Sequence, residues 1–392
     1  MSTAIYVNHG GRNFAGKNQD IPYDGAYLFI NGRGLAKTAM IGPPHRPVQW
    51  VSRYGSVTVS QVAKEMPNGG INEAGLVVEQ TTLWATVYPE ALERPAIGEL
   101  QWIQLMLDTC ATVDEVIEAA GQVRIINPMS RLHYLVCDQA GGCAVIEFLH
   151  GEMYVYSRGN LPVPVLANTA YPEAIGNLQD AGRVREECKL QADSPRQSKW
   201  RRKYSEYELN SMERFARAAE ALEHLAAENG PLANAAAVRV REPSDSQADR
   251  LASEIDARGG QAVDTEAAFV FDILHRVKRA DTAFSLVYDM DLLEIHFLSV
   301  RCPGVNRLRL LDLDFSAESR MAVNLQQSAA GSPVLETYTA DLNRKVAESF
   351  FRDPVLTEAF GWTISGEMIG YLGEYPDTFP LVASSREIEK EA

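Results

Sequence analysis

STAIYVN (residues 2–8) and GAYLFING (residues 25–32) are two short runs in which apolar and polar residues alternate, the period-two signature of β-strands. Between them lies GGRNFAGKNQD (residues 10–20), rich in Gly and Asn, so the chain reads as opening on a hairpin with this segment as its connection. Strand signals continue outward. WVSRYGSVTVSQVA (50–63) alternates Val and Ser, and NGGINEAGLVVEQTTLW (68–84) passes through a Gly-Gly turn into another apolar run. IGELQWIQLMLDTCATVDEVIEAA (97–120) changes to helical spacing, broken at Thr112, which can cap a second helix with Glu115 at the third position of a capping box. Strands return in LHYLVCDQAGGCAVIEFLHGEMYVYS (132–157) and around VPVLANTAYPEA (163–174). SEYELNSMERFARAAEALEHLAAE (205–228) predicts an amphipathic helix with Met212, Phe215, Ala219 and Leu222 on its inner face. Asp264 is placed to cap another helix, and AFSLVYDMDLLEIHFLS (283–299) reads as two strands about a DMD turn. The last sixty residues read as mainly helical. This order, without internal repeats, predicts an α+β layered sandwich and not a wound βαβ sheet.

The 392 residues allow two or three ordinary domains. The reading is a single domain over 1–392, with an insertion or flexible lobe at about 176–262 and a helical extension from about 331. Apolar residues make up 46% and charged residues 23%, the balance of a soluble globular chain. With 37 basic and 52 acidic side chains the net charge is −15, which repels phosphate backbones and anionic headgroups and excludes nucleic acid as the main partner. The basic cluster Arg196, Lys199, Arg201, Arg202 and Lys203 around Trp200 is therefore read as a solvated loop. No apolar run approaches the ~20 residues of a membrane span, and the first residues lack the basic flank and apolar core of a leader. A cytoplasmic protein is expected as written, or a periplasmic or secreted one if a leader peptide is missing from this sequence.

Cys110, Cys137, Cys143, Cys188 and Cys302 form no CxxC pair and are read as reduced packing residues. The histidines show no HExxH or HxH spacing, so no metal site is expected. His133 and Cys137 share a strand face without an orienting third group and are read as structural. No G-x-S-x-G elbow is present, which excludes a serine hydrolase of that kind.

The chemistry concentrates at the N-terminus. If Met1 is removed, Ser2 carries a hydroxyl and a free α-amine on one Cα. An α-amine has an ordinary pKa of about 7.7–8.0, so near neutrality it can take the hydroxyl proton, and one residue becomes nucleophile and base.

Ser2 at the head of a strand is followed by GKNQD (16–20), NEAGLVVE (72–79), Asn168 in VLANTAY (165–171) and Arg214 in NSMERFARA (210–218). This order resembles the choloylglycine hydrolase family of N-terminal nucleophile hydrolases over nearly the whole chain, a family that includes conjugated bile acid hydrolases and penicillin V acylases. The resemblance implies a four-layer αββα sandwich of antiparallel sheets and no cofactor. It implies that Asp20 holds the α-amine and that Lys17, where the family has Arg, stabilises the nucleophile. Lys keeps the charge and loses the planar fork. Ala167-Asn168 matches the family's Thr-Asn, implying Asn168 as an oxyanion-hole donor or substrate-amide contact; Ser211–Phe215 resembles its helix motif with one extra residue, implying Arg214 near the nucleophile; Thr82 falls near a second oxyanion position. The family's nucleophile is Cys, and its equivalent here is either Ser2 or Met1. The implied reaction is hydrolysis of a linear, non-peptide C–N amide in a small N-acyl substrate of bile-salt, penicillin V or N-acyl amine type, by a homo-oligomer (dimer or tetramer). The alternative is an impaired member that binds an acyl ligand without cleaving it.

Overall fold

The computed structural model describes residues 1–90, 93–126, 129–188, 204–228, 264–318, 320–329 and 332–382. The basic cluster around Trp200 and the segment 229–263 lie outside these residues.

Strand β1 (Ser2–His9) pairs antiparallel with β2 (Arg12–Asp20), from Ser2 opposite Gln19 to His9 opposite Arg12. The turn between them is Gly10-Gly11, both at positive φ (58° and 78°), which glycine adopts without a Cβ penalty. The segment 10–20 is thus not a connection, as its composition suggested, but a turn and a full strand. Its polar side chains are buried with partners. Asn18 donates to the Leu274 carbonyl (2.7 Å) and accepts from the Ser285 hydroxyl (2.7 Å), so a strand covered on both faces reads as polar.

A six-stranded antiparallel sheet runs, in spatial order, Val165–Leu166, β1, β2, Thr282–Asp289, Glu294–Ser299 and Asn306–Arg309. A nine-stranded antiparallel sheet runs Glu152–Ser157, Cys143–Leu149, Leu132–Cys137, Val77–Thr82, Gly69–Asn72, Ser56–Ser60, Tyr27–Asn31, Met321–Ala329 and Ser332–Thr337. The two sheets face each other, with β1 against Val77–Thr82 and Leu132–Cys137. Helices Glu206–Glu228 and Thr265–Arg276 cover the outer face of the six-stranded sheet; Glu99–Thr109 and Val113–Gln122 cover the other. Two large apolar cores and a small cluster of Phe29, Ala322, Tyr338 and Val346 result among the described residues. One fills the space between the sheets and under the first helix pair; the second holds Trp102, Met106, Tyr134 and Phe148 beneath the opposite helices.

Local signals hold where the sequence offered them. The Thr112 hydroxyl accepts from Glu115 N–H (3.2 Å), while Glu115 reaches back to Ala111 N–H (2.6 Å), one residue before the cap. Asp264 accepts from Glu266 N–H at 2.9 Å. The chain after 331 is not helical at once: Ser332–Thr337 first closes a hairpin with Met321–Ala329, and helix begins at Ala340. Gly16 lies on the helix side of β2, where an added Cβ would stand 3.1 Å from Val270, so its bareness lets the helix Thr265–Arg276 settle on the sheet. No helix among the described residues is long and apolar enough to cross a membrane.

Candidate active site

Alternation along the hairpin sorts its side chains. Ser2, Lys17 and Gln19 point between the sheets, while Thr3, Asn18 and Asp20 point toward the helices. The N-terminal end of β1 is where both sets and the crossover 167–170 meet.

Ser2 is buried. Its backbone N–H donates to Asn168 Oδ1 (2.9 Å), and its hydroxyl lies 2.5 Å from the Met1 carbonyl oxygen and 3.3 Å from Gln19 Oε1. The Met1 amine donates to the Asp20 carbonyl oxygen (2.7 Å), and Asp20 N–H donates back to the Met1 carbonyl (2.9 Å). Burial and the neighbouring Arg214 push that amine down to about 6, against the opposing pull of Asp20. Burial in turn raises the Asp20 carboxyl, although the Thr282 hydroxyl (2.6 Å), Arg214 (3.7 Å) and the amine favour its charged form. Thr282 can reach Asp20 because the register slips between Thr282 and Phe284, a bulge beside the chain end. The second Asp20 oxygen is buried without a hydrogen-bond partner.

Arg214, on the helix Glu206–Glu228, ties the group together. One guanidinium nitrogen donates to the Ser2 carbonyl (2.7 Å) and to Thr3 Oγ1 (2.5 Å), another to Asn168 Oδ1 (2.7 Å), and Nε to Asn210 (3.1 Å). Asn168 is held from three further directions. Its N–H donates to Ser211 Oγ (2.7 Å), its Oδ1 accepts from Ser2 and Arg214, and its Nδ2 donates to the Thr82 carbonyl (2.8 Å). The Thr82 carbonyl takes one of the two carboxamide N–H groups.

The other two sequence-predicted residues stand differently. Thr82 enters through its carbonyl oxygen, an acceptor that orients Asn168. The Lys17 ammonium shares the Ser2 face but is taken by Glu79 (2.7 Å) and the Gln80 carbonyl (2.5 Å) of the facing sheet, with Tyr288 also donating to Glu79 (2.6 Å). The cation beside Ser2 is Arg214. Gln19, Gln61 and Thr282 were missed in the sequence. Gln19 stood as the variable position of GKNQD; it touches Ser2 and donates to Gln61 (3.0 Å), whose placement no local signal announces. A cavity of about 350 Å³ opens beside Asn168, lined also by Leu83, Trp84, Glu173 and Tyr207.

A model of the linear amide C–N hydrolases, choloylglycine hydrolase family, matches residues 32–234. Penicillin V acylase of Pectobacterium atrosepticum is 28% identical over 132 residues, 30% of this chain and 35% of that protein, so the match spans about a third of that relative's length. Penicillin V acylase from Agrobacterium tumefaciens superposes with a TM-score of 0.60 at 20% identity, over 86% of this chain and 98% of that one. A mutant of conjugated bile acid hydrolase from Clostridium perfringens gives 0.55 at 14% identity, over 86% and 97%. The two structural likenesses show the fold, a layered αββα sandwich. Since the family model spans more than half of the sequence, the chain belongs to the linear amide C–N hydrolases of the choloylglycine hydrolase family.

Proposed function

We propose that this protein hydrolyses a linear, non-peptide C–N amide bond in a small N-acyl substrate, with Ser2 as nucleophile after loss of Met1. The observation that carries the reading is the convergence of Ser2, Asp20, Asn168 and Arg214 at the head of β1, each buried and mutually hydrogen-bonded or ion-paired. Ser2 Oγ attacks the amide carbonyl while its own α-amine takes the hydroxyl proton. The second carboxamide N–H of Asn168 receives the oxyanion, a contribution of about 3–4 kcal/mol if lost. Collapse breaks the C–N bond as the amine returns the proton to the leaving nitrogen, and water then cleaves the acyl-enzyme ester by the same route. The residues need no cofactor for these steps. Asn168 Oδ1 holds the Ser2 nitrogen, Arg214 fixes the Ser2 carbonyl and Asn168, and Asp20, to which the resemblance gives the amine, stands as the counter-charge of Arg214. Lys17, which the resemblance put beside the nucleophile, acts here through the Glu79 ion pair. The homo-oligomer implied by the resemblance belongs to the same reading and is checked by light scattering.

A panel of N-acyl amino acids, penicillin V and acyl-homoserine lactones, assayed for amine release, tests the reaction class. Ser2→Ala is expected to abolish release; unchanged release excludes Ser2. One observation favours a second reading, binding without cleavage: with Met1 in place, the Ser2 nitrogen is an amide and its hydroxyl is engaged by the Met1 carbonyl. A chain that retains Met1 is then expected to bind acyl compounds without turnover, which N-terminal mass analysis beside the assay decides.

A further inference from the structure

The segment from Ala167 to Tyr171 carries Asn168 but belongs to no sheet ladder. The strand Val165–Leu166 ends just before it and the helix Tyr171–Cys188 begins at its end. Both ends are gripped by one buried pair on the facing sheet. His133 Nδ1 lies 2.7 Å from Glu147 Oε1, and His133 Nε2 lies 3.0 Å from the Ala167 carbonyl oxygen. The same Glu147 oxygen accepts the N–H of Tyr171 at 2.8 Å. Thr81 completes the group, its hydroxyl 2.5 Å from His133 Nε2 and donating to the Ala167 oxygen. Thr81 pairs with His133 across one strand boundary, and continuing the register of Tyr134 with Ile146 sets Glu147 opposite His133, so the three form a row over three adjacent strands. The orienting group that seemed absent from the sequence is Glu147, fourteen residues away.

We propose that His133, oriented by Glu147, is a positioning residue that fixes the carboxamide of Asn168. The inference rests on reading Asn168 as the oxyanion donor. The two ring nitrogens face a carboxylate and a carbonyl, so the imidazole bridges Glu147 of the sheet to the segment that carries Asn168. His133 and Glu147 are fully buried, and the second Glu147 oxygen has no hydrogen-bond partner. Polar groups placed in a core at such a desolvation cost hold something apolar side chains cannot, namely a carbonyl. The Ala167 carbonyl belongs to the peptide unit whose N–H is that of Asn168. Rotating that unit would pull Asn168 N–H off Ser211 and swing its side chain away from Thr82 and Ser2.

The test is a double-mutant cycle on the full chain. His133→Ala is expected to lower kcat roughly 10- to 100-fold with little change in KM, the cost of a displaced oxyanion donor. In the Asn168→Ala background the same change is expected to cost nothing further, because the group it positions is gone. Glu147→Ala should follow His133→Ala, whereas Glu147→Gln keeps an acceptor for the ring and for Tyr171 N–H and should restore kcat. An equal loss in both backgrounds marks a general structural role and overturns the proposal, as does an unchanged kcat. A crystal structure of Glu147→Ala or His133→Ala decides the same point without turnover: Asn168 Nδ2 should leave the Thr82 carbonyl, and an unmoved carboxamide overturns the proposal. Absence of turnover in the parent would count against the nucleophile reading alone.

Discussion

The Met1 amine at the head of β1 is held where its charged form is disfavoured. The N-terminal amine is pushed to about 6 by burial and Arg214, below its ordinary 8.0. A protonated α-amine cannot accept a hydroxyl proton. Once Met1 is gone the Ser2 amine, buried beside Asn168 and Arg214, is the base, and kcat/KM is expected to fall at low pH as that amine takes up a proton, read from a pH–rate profile. The stability of the Met1 form follows the same sign. The unfolded chain binds the proton more readily, so stability is greatest above about 8 and declines as pH falls toward 6, checked by urea midpoints across that window. Asn168→Ala, read in steady-state kinetics, is expected to lower kcat by roughly 10²–10³. At this scale the sequence exposed the residues carried on short motifs: Ser2, Asp20, Asn168 and Arg214 do meet. It hid Thr282, Gln61 and Glu147, which arrive from strands or loops distant along the chain and carry no motif of their own.

Strand β2 shows why element reading is uneven. A strand with one face in water shows alternating polarity, whereas β2 is buried on both faces and its polar residues answer partners from other elements. The Lys17–Glu79 pair links the two sheets, with both side chains essentially buried. Glu79 fits because its cross-strand neighbour is Gly69, where an added Cβ would stand closer to the carboxylate than any real contact allows. Lys17→Met leaves a buried carboxylate unpaired and is expected to cost about 3–5 kcal/mol in denaturant unfolding. Adding Glu79→Gln, which still accepts from Tyr288, should recover most of that loss. Because the ammonium is committed to Glu79, the double variant should also retain kcat; a large loss would place Lys17 in the chemistry instead. The helices were easier to read, since Thr112 and Asp264 act within one turn of themselves.

At the scale of the whole molecule, the alternation of strand and helix blocks pointed to a layered α+β sandwich, and the two facing sheets with outer helices are that architecture. What composition could not convey is which sheet each strand joins. Tyr27–Asn31 follows β2 in sequence but enters the other sheet, and the nine-stranded order is completed by strands from beyond residue 320. The net charge of −15 bears on partners and leaves the acyl group unspecified. In the proposed reaction the sandwich presents Ser2 as a free N-terminal nucleophile. The most direct test is intact-mass and peptide analysis of the purified protein after brief exposure to an acylating substrate. The account predicts a chain beginning at Ser2 with one acyl group on its N-terminal peptide, absent in Ser2→Ala; turnover by a chain that still begins at Met1, or an adduct elsewhere, would contradict it.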